Sequence, residues 1–268
     1  MAVFVRCGFI ARPMKSERVN VLGVGVTVLN LPLAVASLKA AIQAGCKGYV
    51  CVTGVHGVME AQEDAGLRTI LNSALLNTPD GMPMVWLGRM AGHRQMSRVY
   101  GPDLMLEVFA ASSAEGWRHF FYGGANGAAQ ALKEKVQARF PGLAVVGVFE
   151  PPFRPLDAVE RAELRRQVTQ AQPHFFWVGL STPKQEKFMA EYLPLLDVDI
   201  MLGVGAAFDF HSGRVRQAPR WVQRSGFEWL YRVACEPRRL WRRYFRNNPR
   251  FLAAVFAQKT GLRKFVLD

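Results

Sequence analysis

Cysteine is scarce in this sequence of 268 residues, and no cysteine belongs to a CxxC pair or to a Cys/His pattern with zinc-ligand spacing. The four copies are Cys7, Cys46, Cys51 and Cys235. Their number and spacing argue against a zinc site and, more strongly, against a disulfide framework. The apolar residues 1–5 end at Arg6 and lack the layout of a secretory signal. Together these absences predict a cytoplasmic protein with reduced thiols.

Long uncharged segments are also few. Residues 19–38 carry no charge and are numerous enough to span a bilayer. Asparagines, glycines and Pro32 interrupt this segment, however, so we interpret it as a buried strand over residues 19–29 and a helix over residues 32–45. We therefore expect no transmembrane helix here.

Acidic residues are rare near the C-terminus, which makes the charge distribution very uneven. From residue 211 to the end there are 14 Lys and Arg against 3 acidic residues, a net charge of +11 out of +13 for the chain. Residues 1–210 hold only the remaining +2. Such asymmetry indicates an anionic partner for the basic segment: phosphate groups, lipid head-groups or nucleic acid.

Strand and helix patterns alternate along the rest of the chain, which predicts an α/β fold with a mainly parallel sheet and flanking helices. The further strands are expected at 48–53, 75–76, 119–122, 143–149, 174–178 and 198–204, and the further helices at 58–74, 104–114, 128–140 and 160–171. Ligands of such sheets lie beyond the carboxyl ends of the strands. The turns that follow the strands are therefore the candidate site walls: Thr53–His56, Asp80, Gly123–Gly127, Ser181–Gln185 and Gly203–Asp209.

Residues 79–83, Pro-Asp-Gly-Met-Pro, form a tight turn between apolar segments. Asp80 is the ionisable group on this corner, and a carboxylate held there is placed to take a proton from a substrate hydroxyl. The alternative is that Asp80 only closes an Asx-turn with its own backbone.

Two other turns carry weaker signals. Gly123 and Gly124 begin a glycine-rich turn whose backbone N–H groups could cradle a phosphate, but the turn is not G-x-G-x-x-G, and ordinary β–α turn chemistry explains it equally well. Gln185 lies where Pro183 can start a helix, and it is either a site residue facing the strand ends or part of a solvated helix start.

The basic segment mixes arginines with Trp, Tyr and Phe, a composition typical of a bilayer interface. Arg232, Arg239 and Arg242 are spaced to share one helical face, where guanidinium groups match a diphosphate. A solvated basic helix whose aromatic residues enter the core is the alternative.

An ordered series of motifs resembles the WecG/TagA/CpsF glycosyltransferases over about residues 19–246. The motifs are Pro79-Asp-Gly-Met-Pro83, Gly101-Pro-Asp-Leu104, Phe121-Tyr-Gly-Gly124, Pro183-Lys-Gln-Glu186, Gly203-Val-Gly-Ala-Ala-Phe-Asp-Phe210 and Glu228-Trp-Leu-Tyr-Arg232, followed by Pro237-x-Arg239-x2-Arg242. The resemblance implies a Rossmann-like catalytic domain over residues 1–212. It implies a basic, aromatic-rich helical appendage over residues 213–268 that associates with the membrane and completes the site.

The resemblance also implies site residues. Asp80 matches the family's proposed base, and the matching substrate-binding residues are Arg98, Gln185, Arg232, Arg239 and Arg242. The family's Thr-x-Asn turn is altered here, because Thr53 is followed at the third position by His56, which we expect to replace the asparagine. Gln217 stands where an Arg-Ala-Pro motif is usual, which weakens an anion-binding role at that position.

The implied activity is inverting transfer of a hexose from a UDP-sugar to an undecaprenyl-diphosphate-linked saccharide at the cytoplasmic membrane face, without a metal or other cofactor. The product would be an exopolysaccharide or another cell-surface polysaccharide. The resemblance leaves N-acetylmannosamine, its uronic acid and glucose as possible donor sugars. Uncharged Met82 and Met84 beside the Asp80 corner offer no group to recognise a uronate, so we expect a hexose of the glucose or N-acetylmannosamine type and favour a neutral one such as glucose. The alternatives are a nucleotide-cofactor oxidoreductase and a basic nucleic-acid-binding protein, whose affinity would fall steeply with salt.

Overall fold

A computed structural model describes residues 16–267, apart from the side chain of Arg239. Cys7 and the residues used to exclude a secretory signal lie outside this range. The strands are β1 Arg18–Val21, β2 Val24–Thr27, β3 Gly48–Thr53, β4 Leu76–Pro79, β5 Arg118–Gly123, β6 Ala144–Phe149, β7 Phe175–Gly179 and β8 Ile200–Gly203. The helices are α1 Leu31–Gln43, α2 Val55–Glu63, α3 Ala65–Ser73, α4 Met82–Met90, α5 Gly101–Glu115, α6 Ala128–Arg139, α7 Ala158–Ala171, α8 Lys184–Tyr192, α9 Ala207–His211, α10 Arg220–Ser225, α11 Glu228–Cys235 and α12 Pro237–Lys259.

Six strands form one parallel sheet in the order β4-β3-β8-β7-β5-β6. Parallel neighbours need crossover connections, and helices supply them here. The predicted α/β fold with a mainly parallel sheet and flanking helices is thus confirmed. Because all six strands run the same way, the turns after β3, β4, β5, β7 and β8 meet at one edge of the sheet.

The core lies on both faces of this sheet. Phe120 and Phe176, on neighbouring strands, stack at 5.2 Å in one buried cluster. The next residue along each strand, Phe121 and Trp177, points to the opposite face and belongs to the second cluster. This alternation is the two-residue period of a strand buried on both faces. Burial of each such side chain stabilises the fold by roughly 2 kcal/mol.

His119 is a structural histidine inside this core. It is fully buried; its Nδ1 accepts a hydrogen bond from the Trp177 indole at 3.0 Å, and its Nε2 lies 2.8 Å from the hydroxyl of Ser112. Because Nδ1 is an acceptor, the proton of the neutral ring is on Nε2, which donates to Ser112. Burial lowers the pKa of His119 to about 3, so the ring is neutral at physiological pH.

The predicted single strand over residues 19–29 is wrong, because the structure has an antiparallel hairpin, β1–β2. Leu22 and Gly23 both have positive φ, 54° and 82°, as a two-residue type I′ turn requires. The side chain of Asn20 accepts a hydrogen bond from the Gly23 amide at 2.8 Å and stabilises the turn.

Other segments also differ from prediction. The helix expected over 58–74 is two helices, α2 and α3, because Asp64 is extended (φ −128°, ψ 100°) and its carboxylate caps α3 by accepting from the amide of Leu67. The loop expected after β8 contains the short helix α9.

The C-terminal segment packs against the α/β body. Leu240 and Phe251 of α12 are buried, and Phe251 belongs to the core cluster that contains Phe120. Arg246 and Arg250 pair with Glu63 of α2 at 3.0 and 2.6 Å. Farther along, residues 258 and 265 hydrogen-bond to the β1–β2 hairpin. Within residues 16–267, no helix combines the length and the hydropathy that crossing a membrane requires.

Candidate active site at the carboxyl ends of the strands

A cavity of about 1350 Å³ opens at the carboxyl edge of the sheet. Its walls come from the turns after β3, β4, β5, β7 and β8 and from the C-terminal helices α11 and α12. The cavity is larger than a typical single-ligand pocket of about 300–1,000 Å³, so it has room for two substrates.

Unpaired polar atoms are concentrated in this cavity. Eight buried side-chain polar atoms have no hydrogen-bond partner within the described residues, and five of the eight belong to residues that line the cavity. They are Oγ1 of Thr53, Nε of Arg98, Oη of Tyr100, Oε1 of Gln185 and Oε2 of Glu186. Because buried polar groups are normally paired, this concentration indicates a polar ligand.

Asp80 lies on the corner between β4 and α4. Its amide donates to the carbonyl of Thr53 at 3.0 Å and extends the pairing of the two strands past their ends. Gly81 then adopts φ 87° and is the N-cap residue of α4, so the position that normally supplies a capping side chain is not Asp80. The carboxylate is 30% exposed and lines the cavity, as a proton acceptor requires.

Among the described side chains, Arg98 forms an ion pair with this carboxylate. Its Nη2 lies 3.5 Å from Asp80 Oδ1 and 2.5 Å from Glu228 Oε2, and its guanidinium stacks 3.9 Å from the ring centre of Tyr100. Burial alone would lower the pKa of Arg98, but the two carboxylates outweigh it and raise that pKa. Arg98 therefore stays charged inside the cavity wall.

The three C-terminal arginines do not share one helical face. Glu236 is non-helical (φ −134°, ψ 62°) and Pro237 begins a new helix, so Arg232 lies on α11 whereas Arg239 and Arg242 lie on α12. The expectation of a common face was therefore wrong.

The same arginines also differ in their relation to the cavity. Arg232 is mostly buried in its wall, and nearby Tyr244, Tyr100, Glu228 and Asp80 raise the pKa of Arg232 against the opposing effect of burial. Arg242 is exposed, lies over the ring of Trp241 and is not part of the wall, whereas Arg243 is. The side chain of Arg239 lies outside the described part of the structure.

Thr53 and His56 lie side by side on the wall formed by the end of β3 and the start of α2. The side-chain amide of Asn247, on α12, lies 3.0 Å from His56 Nδ1. Burial and, to a smaller extent, the charge of Arg243 together lower the pKa of His56 to about 4, so the imidazole is neutral at pH 7.

Gln185 is in the first turn of α8 and is 4% exposed, which excludes the solvated alternative. Its Nε2 donates to Oε1 of Glu186 at 3.1 Å, and this bond turns the Gln185 carbonyl oxygen away from that partner. Burial raises the pKa of Glu186, although the hydroxyl of Thr182 also donates to its carboxylate. Gln185 therefore offers an acceptor to a ligand.

The glycine-rich turn after β5 serves local structure. The N–H groups of Gly127 and Ala129, at the start of α6, donate to the carboxylate of Glu150 at 3.0 and 3.3 Å. Glu150 thus occupies the place of a phosphate, which favours the ordinary-turn interpretation. Gly124 lines the cavity, whereas Gly123, at φ 116°, permits close approach to Gly179 and lies behind the wall.

Glu228, Gln223, Tyr100, Arg243 and Tyr244 are wall residues that the sequence analysis did not assign to the site. Glu228 was named only as part of a motif. Neither spacing nor composition shows that α11 folds back over the β4–α4 corner. The cavity thus combines a partly exposed carboxylate with several guanidinium groups, a set suited to proton abstraction beside a developing negative charge.

Comparison with known proteins agrees with this chemistry. Residues 19–265 match the profile of the glycosyl transferase WecG/TagA/CpsF family. An N-acetylglucosaminyldiphosphoundecaprenol N-acetyl-beta-D-mannosaminyltransferase from Bacillus subtilis is 28% identical over 89% of this chain and 94% of its own length. A protein of the same name from Bacillus spizizenii is 29% identical over 81% of this chain and 82% of its own length. Since the match spans nearly the whole chain, this protein belongs to the WecG/TagA/CpsF family and is a glycosyltransferase.

Proposed function

We propose that this enzyme transfers a hexosyl group from a UDP-sugar to a saccharide carried on undecaprenyl diphosphate, with inversion, at the cytoplasmic face of the membrane. The observation that carries the proposal is the Asp80 carboxylate beside Arg98 in a cavity large enough for both substrates. The product is an intermediate of exopolysaccharide or another cell-surface polysaccharide.

Asp80 accepts the proton of the acceptor hydroxyl as the hydroxyl oxygen attacks the anomeric carbon. The bond from that carbon to the diphosphate oxygen breaks, and its electron pair leaves with UDP. Attack from the side opposite the leaving group inverts the anomeric centre. Arg98, Arg232 and Arg243 line the same cavity and offset the charge that develops on the diphosphate.

The substrate proposal draws on the two relatives. Their names give an undecaprenyl-diphosphate-linked N-acetylglucosamine as acceptor and an N-acetylmannosaminyl group as the transferred sugar. N-acetylmannosamine and glucose are both neutral, and Met82 and Met84 add no charge beside Asp80. We therefore place a neutral hexose in the donor site, with N-acetylmannosamine favoured by the relatives' names.

A donor screen tests this proposal. The full-length enzyme is incubated with an undecaprenyl-diphosphate-linked saccharide and, in turn, UDP-glucose, UDP-N-acetylmannosamine and the corresponding uronic acid donor, and lipid products are identified by mass spectrometry. We expect transfer from a neutral donor with release of UDP. Transfer from the acidic donor alone, or from none, would contradict the proposal.

Residues 213–268 are proposed to bring the cavity to the membrane and to complete it. The segment is strongly basic, and several of its large apolar side chains are exposed: Trp221, Phe227, Leu230, Trp241, Phe245, Leu252 and Phe256. Lys and Arg near an anionic leaflet contribute on the order of 1 kcal/mol each, which suffices for reversible binding. Phe227 and Leu252 of this set, together with Trp229 and Tyr244, also line the cavity.

Because Phe251 of the same segment is in the core, point substitutions are a sharper test of membrane binding than deletion. Trp221→Ser, Trp241→Ser and Phe245→Ser together should weaken binding to anionic vesicles while leaving the melting temperature nearly unchanged. Val159→Ser, at a side chain that is 78% exposed on α7, is the control. Unchanged vesicle binding in the triple variant would refute docking through these aromatic residues.

A further inference from the structure

Glu228 is held against the site by a short ion pair. It is the first residue of α11, its side chain is 13% exposed, and its Oε2 lies 2.5 Å from Nη2 of Arg98. The same nitrogen is 3.5 Å from Asp80 Oδ1. Attraction between opposite charges is stronger at the shorter distance. The Arg98 guanidinium is therefore held closer to Glu228 than to Asp80, although it interacts with both.

We propose that Glu228 is a positioning residue that holds Arg98 back from full pairing with Asp80, so that Asp80 stays free to accept a proton. This inference rests on the proposed function, because it assigns a role within the same site. A carboxylate that is tightly paired with a guanidinium is stabilised in its charged form and is a weaker base.

The groups around Asp80 include a second cation besides Arg98. Asp80 also faces Arg232 on α11 and Tyr244 on α12, with Tyr100 at the start of α5. Removing Glu228 would take one negative charge away from Arg98 and Arg232 and would release Arg98 toward Asp80.

Glu228 also links the C-terminal segment to the chemistry. When α11 is seated, Glu228 engages Arg98; when α11 is displaced, Arg98 is free to pair with Asp80. Packing of the C-terminal segment against the body thus makes Asp80 available as a base, in addition to completing the cavity wall.

The experiment compares three variants of the full-length enzyme. Glu228→Gln removes the charge, and Glu228→Asp keeps the charge on a shorter side chain. Glu63→Gln is the matched control, because Glu63 also ties the C-terminal segment to the body, through Arg246 and Arg250, but does not line the cavity. Turnover and donor KM are measured from pH 5 to pH 9, together with vesicle binding and melting temperature.

We expect Glu228→Gln to lower kcat about tenfold or more, a part of the roughly 10²–10⁴-fold contribution of a general base. Donor KM should change little, and the acid limb of the pH–rate profile should move to lower pH. Glu228→Asp should recover part of the rate. Glu63→Gln should keep the wild-type kcat and pH profile even if its vesicle binding or melting temperature falls.

A second readout needs no activity. In a ¹³C NMR titration of the Asp80 carboxyl group, the midpoint should be lower in Glu228→Gln than in the wild type. An unchanged midpoint, or an active Glu228→Gln variant with the wild-type kcat and profile, would overturn the inference and leave Glu228 as an anchor only. A wild-type enzyme that uses no UDP-sugar would instead refute the proposed function, while the titration would still decide the role of Glu228.

Discussion

Replacing Arg98 with methionine should destabilise the protein more than the loss of an ordinary ion pair. The substitution keeps much of the side-chain volume but removes the cation between Asp80 and Glu228. Glu228 is only 13% exposed, so its charge would be left without its nearest partner in a poorly solvated place. Breaking a buried pair from one side costs about 3–5 kcal/mol. Because water reaches Asp80, which is 30% exposed, we expect about 3 kcal/mol.

That energy corresponds to a melting temperature lower by roughly 6–9 °C, at about 2–3 °C per kcal/mol for a chain of this size. Burial already raises the pKa of Glu228, and loss of Arg98 removes the main opposing cause. A carboxyl group whose pKa is higher in the folded state binds more protons when folded, so stability increases as pH falls through that pKa. The deficit of Arg98→Met should therefore be smaller at pH 5 than at pH 7.5.

Differential scanning calorimetry tests this explanation on the wild type and three variants: Arg98→Met, Arg98→Met/Glu228→Gln and Arg166→Met. Arg98→Met/Glu228→Gln should be more stable than Arg98→Met, because the uncompensated charge is gone. Arg166→Met is the control, because it removes an ion pair of similar length with Glu163 whose side chains are exposed to solvent. It should leave the melting temperature nearly unchanged. A double variant no more stable than Arg98→Met would refute the electrostatic explanation.

Substitutions at three further residues probe the site wall and the core. His56 is neutral at pH 7, so His56→Asn should keep most of the transfer rate, whereas the added charge of His56→Lys should lower kcat/KM by about tenfold or more, as steady-state kinetics will show. A Cβ on Gly123, at φ 116°, would lie 2.6 Å from the carbonyl oxygen of Gly179, so Gly123→Ala should lower stability by roughly 2 kcal/mol or more in urea unfolding. His119 has a pKa of about 3 when folded and about 6.5 in an unfolded chain, so the unfolded state binds the proton first and stability should fall as pH drops below 6.5, by up to about 1.4 kcal/mol per pH unit. In His119→Phe the same urea measurement should show a smaller loss between pH 7 and pH 5.

Much of the fold could be predicted from the sequence because its local signals agree with its tertiary structure. Residues 48–53 were predicted as a strand and form β3, and the Pro-Asp-Gly corner ends β4 as expected. The hairpin at Leu22 was missed because its positive φ belongs to a residue that rarely adopts it. The break at Asp64 was missed because an N-cap inside an apolar pattern looks like one continuous helix.

From local sequence patterns the site was predictable only where it follows a strand, whereas Arg98 and Arg232, which also line the cavity, were predicted through the family resemblance. Asp80 and Gln185 follow directly from β–α geometry and line the cavity. The contribution of α11 and α12 depends on long-range packing, such as the Glu228–Arg98 pair, which joins residues 130 positions apart. No local period encodes such a contact, so the sequence could not show that Arg243 rather than Arg242 lines the cavity in this structure.

The most direct test of the account is transfer by Asp80→Asn in the lipid-acceptor assay. The amide keeps the shape of the corner but cannot accept the proton, so turnover should fall by roughly 10²-fold or more while the melting temperature stays near that of the wild type. Asp197→Asn, which removes an exposed carboxylate paired with Lys47, should transfer at the wild-type rate. If Asp80→Asn retains near-normal turnover, Asp80 is not the base and the proposed mechanism is wrong.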